Sequence, residues 1–211
     1  MHISAIILAA GESSRFPKGK LTRIIRADNK DEVLIKYLVN KFLSVNEISE
    51  VIVVIGYNPL EIINSINTPE VKFVYNPDYK RGMSYSVKAG VRAVLKYVDI
   101  VLIHPGDVFF VRTTTIKNLV NKAIELFRKN KDFIIIPKYG LKGGHPLIIS
   151  KRLIPHVLEI KEEERGLKGF LNRFSDKKVY IETDDIGVLY DVDTPEDLIK
   201  AEKIFGIKWI K

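Results

Sequence analysis

The sequence predicts an α/β fold: a mostly parallel sheet covered by helices on both faces, with a small antiparallel excursion towards its end. Short apolar runs alternate with segments whose apolar residues recur at helical spacing, in four successive strand–helix–strand units. That alternation is the pattern of a parallel sheet buried on both faces. After Pro137 the rhythm loosens, which marks the antiparallel excursion.

The strands are read from apolar runs between turn signals. They are Ile3–Leu8, Val51–Ile55, Val71–Tyr75, Ile100–His104, Phe133–Pro137, Pro146–Ile149, Lys178–Ile181 and Val188–Tyr190. The first helix is expected over Glu32–Leu43, where Val33, Leu34, Tyr37, Leu38 and Phe42 line one face. The second, Pro59–Ile66, opens with proline in a first turn. Met83–Tyr97, Thr114–Arg128, Glu163–Arg173 and Pro195–Phe205 complete the set. Thr194 is a good N-cap for the last, with Glu196 and Asp197 near the positive helix end.

Composition bounds the function. The 211 residues are 46% hydrophobic and 28% charged, which suits a single domain over residues 1–211. No run approaches the roughly 20 apolar residues that span a bilayer. The apolar start flows into a glycine turn and not a cleavage site, so a cytoplasmic protein is expected. With no cysteine, disulfides and thiolate metal sites are excluded. A metal would be held by oxygen or imidazole, which favours Mg²⁺, or Mn²⁺ in its place. The net charge of +8 raises nucleic acid as a partner, but the cations are interleaved with acids, as in Lys161-Glu162-Glu163-Glu164-Arg165. A solvated surface explains them more simply, and no nucleic-acid motif is present.

In open sheets of this kind ligands bind beyond the carboxyl ends of the strands, and the unusual residues cluster there. Leu8-Ala9-Ala10-Gly11 ends the first strand in small residues that let backbone approach a ligand, and Arg15 and Lys20 follow as cations able to meet phosphates. Neither the dinucleotide GxGxxG nor the P-loop pattern occurs. Asn76 to Ser86 forms a loop in which Gly82 precedes a helix; it could close over a base and ribose, while Ser84 or Ser86 could simply cap the helix. Asp107 stands after a buried strand and a glycine, where a Mg²⁺ ligand is wanted. Gly144-His145-Pro146 makes a tight imidazole-bearing loop, either catalytic or structural. Asp191 or Asp193 could supply a second metal-directed carboxylate.

These segments, in this order, resemble the molybdenum-cofactor nucleotidyltransferases and their relatives from Ile6 to Leu198. The family pattern LAAGxSxRMGxxK is met by Leu8–Gly11, Ser13, Arg15 and Lys20, and further segments match at Gly106-Asp107, Asn76–Ser86, Gly144–Pro146 and Asp191–Leu198. The resemblance implies a Rossmann-like three-layer nucleotidyltransferase fold, active with Mg²⁺. A phosphorylated cofactor would attack the α-phosphorus of a nucleoside triphosphate and release pyrophosphate. Leu8, Ala9, Ala10 and Gly11 would hold base and ribose with Gly82 and Ser86, and Arg15 and Lys20 would neutralise phosphate charge. Asp107 with Asp191 or Asp193 would bind metal, and Gly144 and His145 would form a substrate loop. The LAAG form with GHP resembles the cytidylyl branch, so CTP and molybdopterin are the implied substrates, and molybdoenzymes or their chaperones the implied protein partners. The chain departs from the pattern at Pro17, at Asp28–Asp31, and at Val108-Phe109-Phe110, which stands where the family has Gln-Pro.

Two alternatives compete. A relative could activate a sugar phosphate or another phosphorylated small molecule with the same nucleotide core. A non-catalytic nucleotide-binding relative would be expected to lack Asp107 or Lys20, and both are present.

Overall fold

Uniformly apolar strands need cover on both sides, and in the computed structural model, which describes residues 1–16 and 19–210, they receive it. The chain runs β1 (Ile3–Ala9), β2 (Ile24–Ala27), β3 (Lys30–Val33), α1 (Leu34–Leu43), β4 (Glu50–Ile55), α2 (Pro59–Ile66), β5 (Val71–Tyr75) and α3 (Met83–Val94). It continues through β6 (Ile100–Pro105), α4 (Thr113–Arg128), β7 (Ile134–Tyr139), β8 (Lys142–Gly143), β9 (Leu147–Ser150), α5 (Ile154–Val157) and α6 (Leu167–Arg173). It closes with β10 (Lys178–Glu182), α7 (Pro195–Phe205) and β11 (Lys208–Ile210).

The main sheet has the order β10-β7-β9-β6-β1-β4-β5, with β8 paired to β7. β1 lies parallel between β4 and β6, β5 pairs in parallel with β4, and β10 pairs in parallel with β7. β9 is the antiparallel excursion, running against both β6 and β7. The period of two along β1 divides the core. Ile3, Ala5, Ile7 and Ala9 face the side covered by α1, α2, α4 and α7, whereas Ile6 and Ala10 face α3, α5 and α6. Among the described residues no helix is long and apolar enough to cross a membrane.

The structure corrects several element boundaries. The helix expected from Glu32 begins at Leu34, because residues 30–33 form the second strand of a hairpin. Asp28 and Asn29, both at positive φ (50° and 61°), make its two-residue turn. β11 joins this hairpin in a separate three-stranded sheet that was not expected. The helix expected over Glu163–Arg173 starts only at Leu167, because Arg165 and Gly166 sit at positive φ and interrupt it. The strand expected at Val188–Tyr190 is a 3₁₀ turn over Ile186–Val188 followed by irregular chain. There Asp185 accepts from the backbone N–H of both Gly187 and Arg112 at 2.9 and 2.7 Å, so the segment is held by a side chain and not by a sheet partner.

Val108-Phe109-Phe110 departs from the family pattern immediately after Asp107, yet all three side chains are buried in the core. Phe110 stacks on Phe205 with centroids 4.5 Å apart. The substitution therefore fills the interior and leaves the cleft untouched. Pro17, another departure, lies outside the described residues.

Candidate active site

The register of β1 and β6 sets Leu8 against Pro105, so the loops that follow the two strands leave the sheet side by side. The Gly106 amide donates to the Leu8 carbonyl at 2.8 Å. A Cβ at Gly106 would lie 2.5 Å from that same oxygen, so only glycine allows this approach. Asp107 is thereby delivered to the mouth of the first loop. Its turn is held from beneath by His104, whose Nε2–H donates to the Val108 carbonyl at 2.8 Å. From the far end of the chain, the Val192 amide donates to the Asp107 carbonyl at 3.0 Å and brings Asp193 alongside. The Thr194–Asp197 capping box of α7 fixes that segment, with Asp197 also accepting from the Asp193 amide at 3.2 Å.

Lys20 closes the constellation. Its Nζ donates to Asp107 Oδ2 at 2.9 Å and to Asp193 Oδ1 at 3.2 Å, and its side chain is largely buried. Arg15 takes the other Asp193 oxygen at 2.9 Å. Two carboxylates thus meet two cations at the carboxyl end of the sheet, on the wall of a cavity of about 330 Å³.

The opposite wall is the loop before α3. Asn76 is buried; its Nδ2 donates to Ser86 Oγ at 3.0 Å and its Oδ1 accepts from the Asp78 amide at 3.1 Å, which shapes the loop over the cleft. Gly82 turns into α3 at φ 115°, a conformation closed to other residues, with the Glu162 carboxylate packed against it.

Leu8, Ala9, Ala10, Gly11, Arg15, Lys20, Gly82, Ser86, Asp107 and Asp193 all line this one cavity. Asp191, the alternative second carboxylate, does not; it is exposed on the other side of Val192, so the structure sets Asp193 and not Asp191 at the cleft. Gly144 and His145 are also elsewhere, on a second cavity of about 910 Å³. Met83 lines both cavities, so the two adjoin.

Tyr79, Lys80 and Met83, which the sequence offered only as part of the loop from Asn76 to Ser86 and did not single out, also line the first cavity. Sequence reasoning read Glu162 as part of a solvated charge run, whereas its Oε2 accepts from the Ser84 amide at the N-terminus of α3 at 3.0 Å. The preference of carboxylates for helix N-termini accounts for that contact.

The donor set suits a hard divalent cation. Both carboxylates face one cavity and all their donor atoms are oxygen. No group of three or more His, Asp or Glu side chains able to hold a metal occurs among the described residues, so water and substrate oxygens would have to complete any shell.

Two histidines beside the site are neutral by burial. His104 is pushed down to about 3 by burial and then by His145, against the pull of the Val108 carbonyl. His145 is pushed down to about 4 by burial, partly offset by Asp107. In the unfolded chain both would titrate near 6.5, so the unfolded state binds more protons below that pH. The stability they contribute is complete above about pH 6.5 and falls as pH drops towards 4. Each should cost up to about 1.4 kcal/mol per pH unit within that window. Glu50, held down to about 2 by hydrogen bonds from Lys72, Ser4, His2 and Tyr97 that outweigh its burial, acts only below the ordinary glutamate range. Urea unfolding midpoints at constant ionic strength should therefore decline from pH 7 to pH 5, and less so in His145→Asn. A flat profile would contradict the neutral pair.

The family model described as the MobA-like NTP transferase domain matches residues 5–179. The molybdenum cofactor cytidylyltransferase of Escherichia coli (strain K12) is 28% identical over 208 residues, covering 95% of this chain and 96% of that protein. The 2-C-methyl-D-erythritol 4-phosphate cytidylyltransferase of Clostridium botulinum (strain 657 / Type Ba4) is 30% identical over 230 residues, covering 95% and 96%. Among solved structures, a nucleotidyl transferase from Methanothermobacter thermautotroptrophicus superposes with a TM-score of 0.78 at 22% identity, covering 97% of each chain.

Proposed function

Because the chain belongs to the MobA-like NTP transferase family, we propose that it moves CMP from CTP onto a phosphorylated small molecule such as molybdopterin, releasing pyrophosphate with the help of a divalent cation. The observation that carries this reading is the convergence of Lys20, Asp107 and Asp193 beside the loop Leu8–Gly11. Asp107 and Asp193 would hold Mg²⁺ or Mn²⁺, which would neutralise charge on the phosphates. Arg15 and Lys20 lie within the same cavity and can donate to phosphate oxygens. An oxygen of the acceptor's phosphate would attack the α-phosphorus, forming one P–O bond as the bond to the β-phosphate breaks. No side chain need act as nucleophile; the residues position the reactants and stabilise charge.

The second cavity supports a separate acceptor site. It adjoins the first through Met83 and carries Arg165, Lys168 and Lys178, none of them in an ion pair among the described residues. Unpaired cations beside Ile136, Leu147 and Leu171 suit an anionic acceptor with an apolar body.

The names of the two relatives, both cytidylyltransferases, support CTP. Ala10 is buried on the cavity wall, where its methyl narrows the space beside a base. Shape differences of this size give roughly 10–200-fold discrimination. With one acceptor, kcat/KM should favour CTP over GTP, and Ala10→Gly should reduce the ratio. Equal use of both nucleotides by the wild type would refute the cytidylyl assignment, and absence of pyrophosphate release with any nucleotide and acceptor would refute the transferase.

A further inference from the structure

We infer that Lys20 occupies, in the free protein, the position between Asp107 and Asp193 that a divalent cation takes, so that the cation enters only together with the triphosphate. This rests on the nucleotidyl-transfer reading of the same cleft. It adds an order of events that the reaction itself does not require.

The geometry leaves one place for one cation. A single ammonium bridges the two carboxylates at 2.9 and 3.2 Å, and the second oxygen of Asp193 is engaged by Arg15. Mg²⁺ would need those oxygens at about 2.0–2.1 Å, in near-octahedral geometry. A divalent ion and an ammonium sharing the same oxygens would sit in each other's field with little water between them. Among the described residues no cluster of three metal-ligating side chains occurs, so no fuller site competes for the ion. For a free ion, then, binding means expelling a largely buried lysine from the two carboxylates that are its ion-pair partners among the described residues, and the ion brings no alternative anion in exchange.

A triphosphate supplies that alternative. Its oxygens accept charge-assisted hydrogen bonds from the lysine, whose flexible four-carbon stem lets the ammonium move by several ångström. The same phosphates provide the oxygen ligands that two carboxylates lack. Lys20 thus has two sets of partners in succession, the carboxylates before nucleotide binding and the phosphates after it. The bridge also explains how two carboxylates are tolerated side by side in the free protein: their charge is balanced internally by Lys20 and Arg15.

The test uses Mn²⁺ alone, counted as free ion by electron paramagnetic resonance, with the wild type and Lys20→Met in the absence of nucleotide. Lys20→Met should bind one Mn²⁺ about tenfold tighter than the wild type, or more, as expected when a positive charge is removed from the ion's position. Its thermal midpoint should rise with Mn²⁺ while that of the wild type stays put. Lys20→Gln, which keeps a polar head between the carboxylates, gives the same comparison if the methionine variant does not fold. Binding of Mn²⁺ alone to the wild type as tightly as to the variant overturns the displacement, even if CTP retention by the wild type depends on Mn²⁺ and on Asp107. Absence of Mn²⁺ binding to either protein, with CTP retention indifferent to Mn²⁺, overturns the metal-site reading and this inference with it.

Discussion

Asp107→Asn is expected to fold normally and to transfer nucleotide roughly a hundred- to a thousandfold more slowly than the wild type, the loss typical when a preorganised charge-stabilising group is removed. Asparagine preserves shape and can still accept from Lys20, so the turn built by Gly106, His104 and Val192 should persist. What disappears is the negative charge that a cation would need. The side chain is partly exposed and contributes no core packing, so the unfolding midpoint should move little. Steady-state pyrophosphate release at saturating Mg²⁺ and CTP is the measurement. More than about a tenth of wild-type turnover would be too much for a variant lacking a metal ligand.

Phe109→Ala should show the opposite pattern, a large loss of stability with little change in chemistry per folded molecule. Phe109 is fully buried two residues beyond Asp107, beside Phe110 at 6.1 Å between centroids. Truncating such a side chain costs about 3–5 kcal/mol through lost burial and the cavity left behind, a large part of the 5–15 kcal/mol usual for a domain. The backbone around it is held independently, because Lys41 donates to the carbonyls of Phe109 and Val111 at 3.2 and 2.9 Å. Burial of that ammonium pushes Lys41 down to about 8, even with Asp185 and Asp28 opposing it. Urea unfolding gives the stability difference. A change below about 1 kcal/mol would mean that the pocket collapses around the missing ring.

The central strands were legible because they are buried on both faces and therefore apolar throughout, as in Val51–Ile55 and Ile100–Ile103. The hairpin β2–β3 was not. Its strands are four residues long with half their side chains in solvent, and its turn uses Asp28-Asn29 without the glycine that usually signals one. Val188 misled for a related reason. It is buried like a strand residue, but its carbonyl accepts one bond from the His145 amide and it joins no sheet ladder. At the site, residues on strand ends were found because strand ends are easily located. Choosing Asp193 over Asp191 required knowing how the chain enters α7, although the Thr194–Asp197 capping box that sets this is written in the sequence. Glu162 was hidden in a charge run, since its partner at the start of α3 is 78 positions away.

The hydrogen bond from Val192 to Asp107 has a consequence for the order in which the molecule becomes competent. Lys20 and Asp193 are 173 positions apart, so contacts at the cleft are among the longest-range in the chain and their loop-closure cost is correspondingly high. On the ribosome the glycine loop, β6 and its aspartate emerge well before the segment that completes them. A nascent chain lacking α7 could build most of the central sheet and still have only half of its carboxylate pair. If Asp193 serves the cleft as proposed, activity in this protein is a readout of complete folding: a cleft that needs both carboxylates works only once the last helix has docked, and partly made chains carry no idle catalyst.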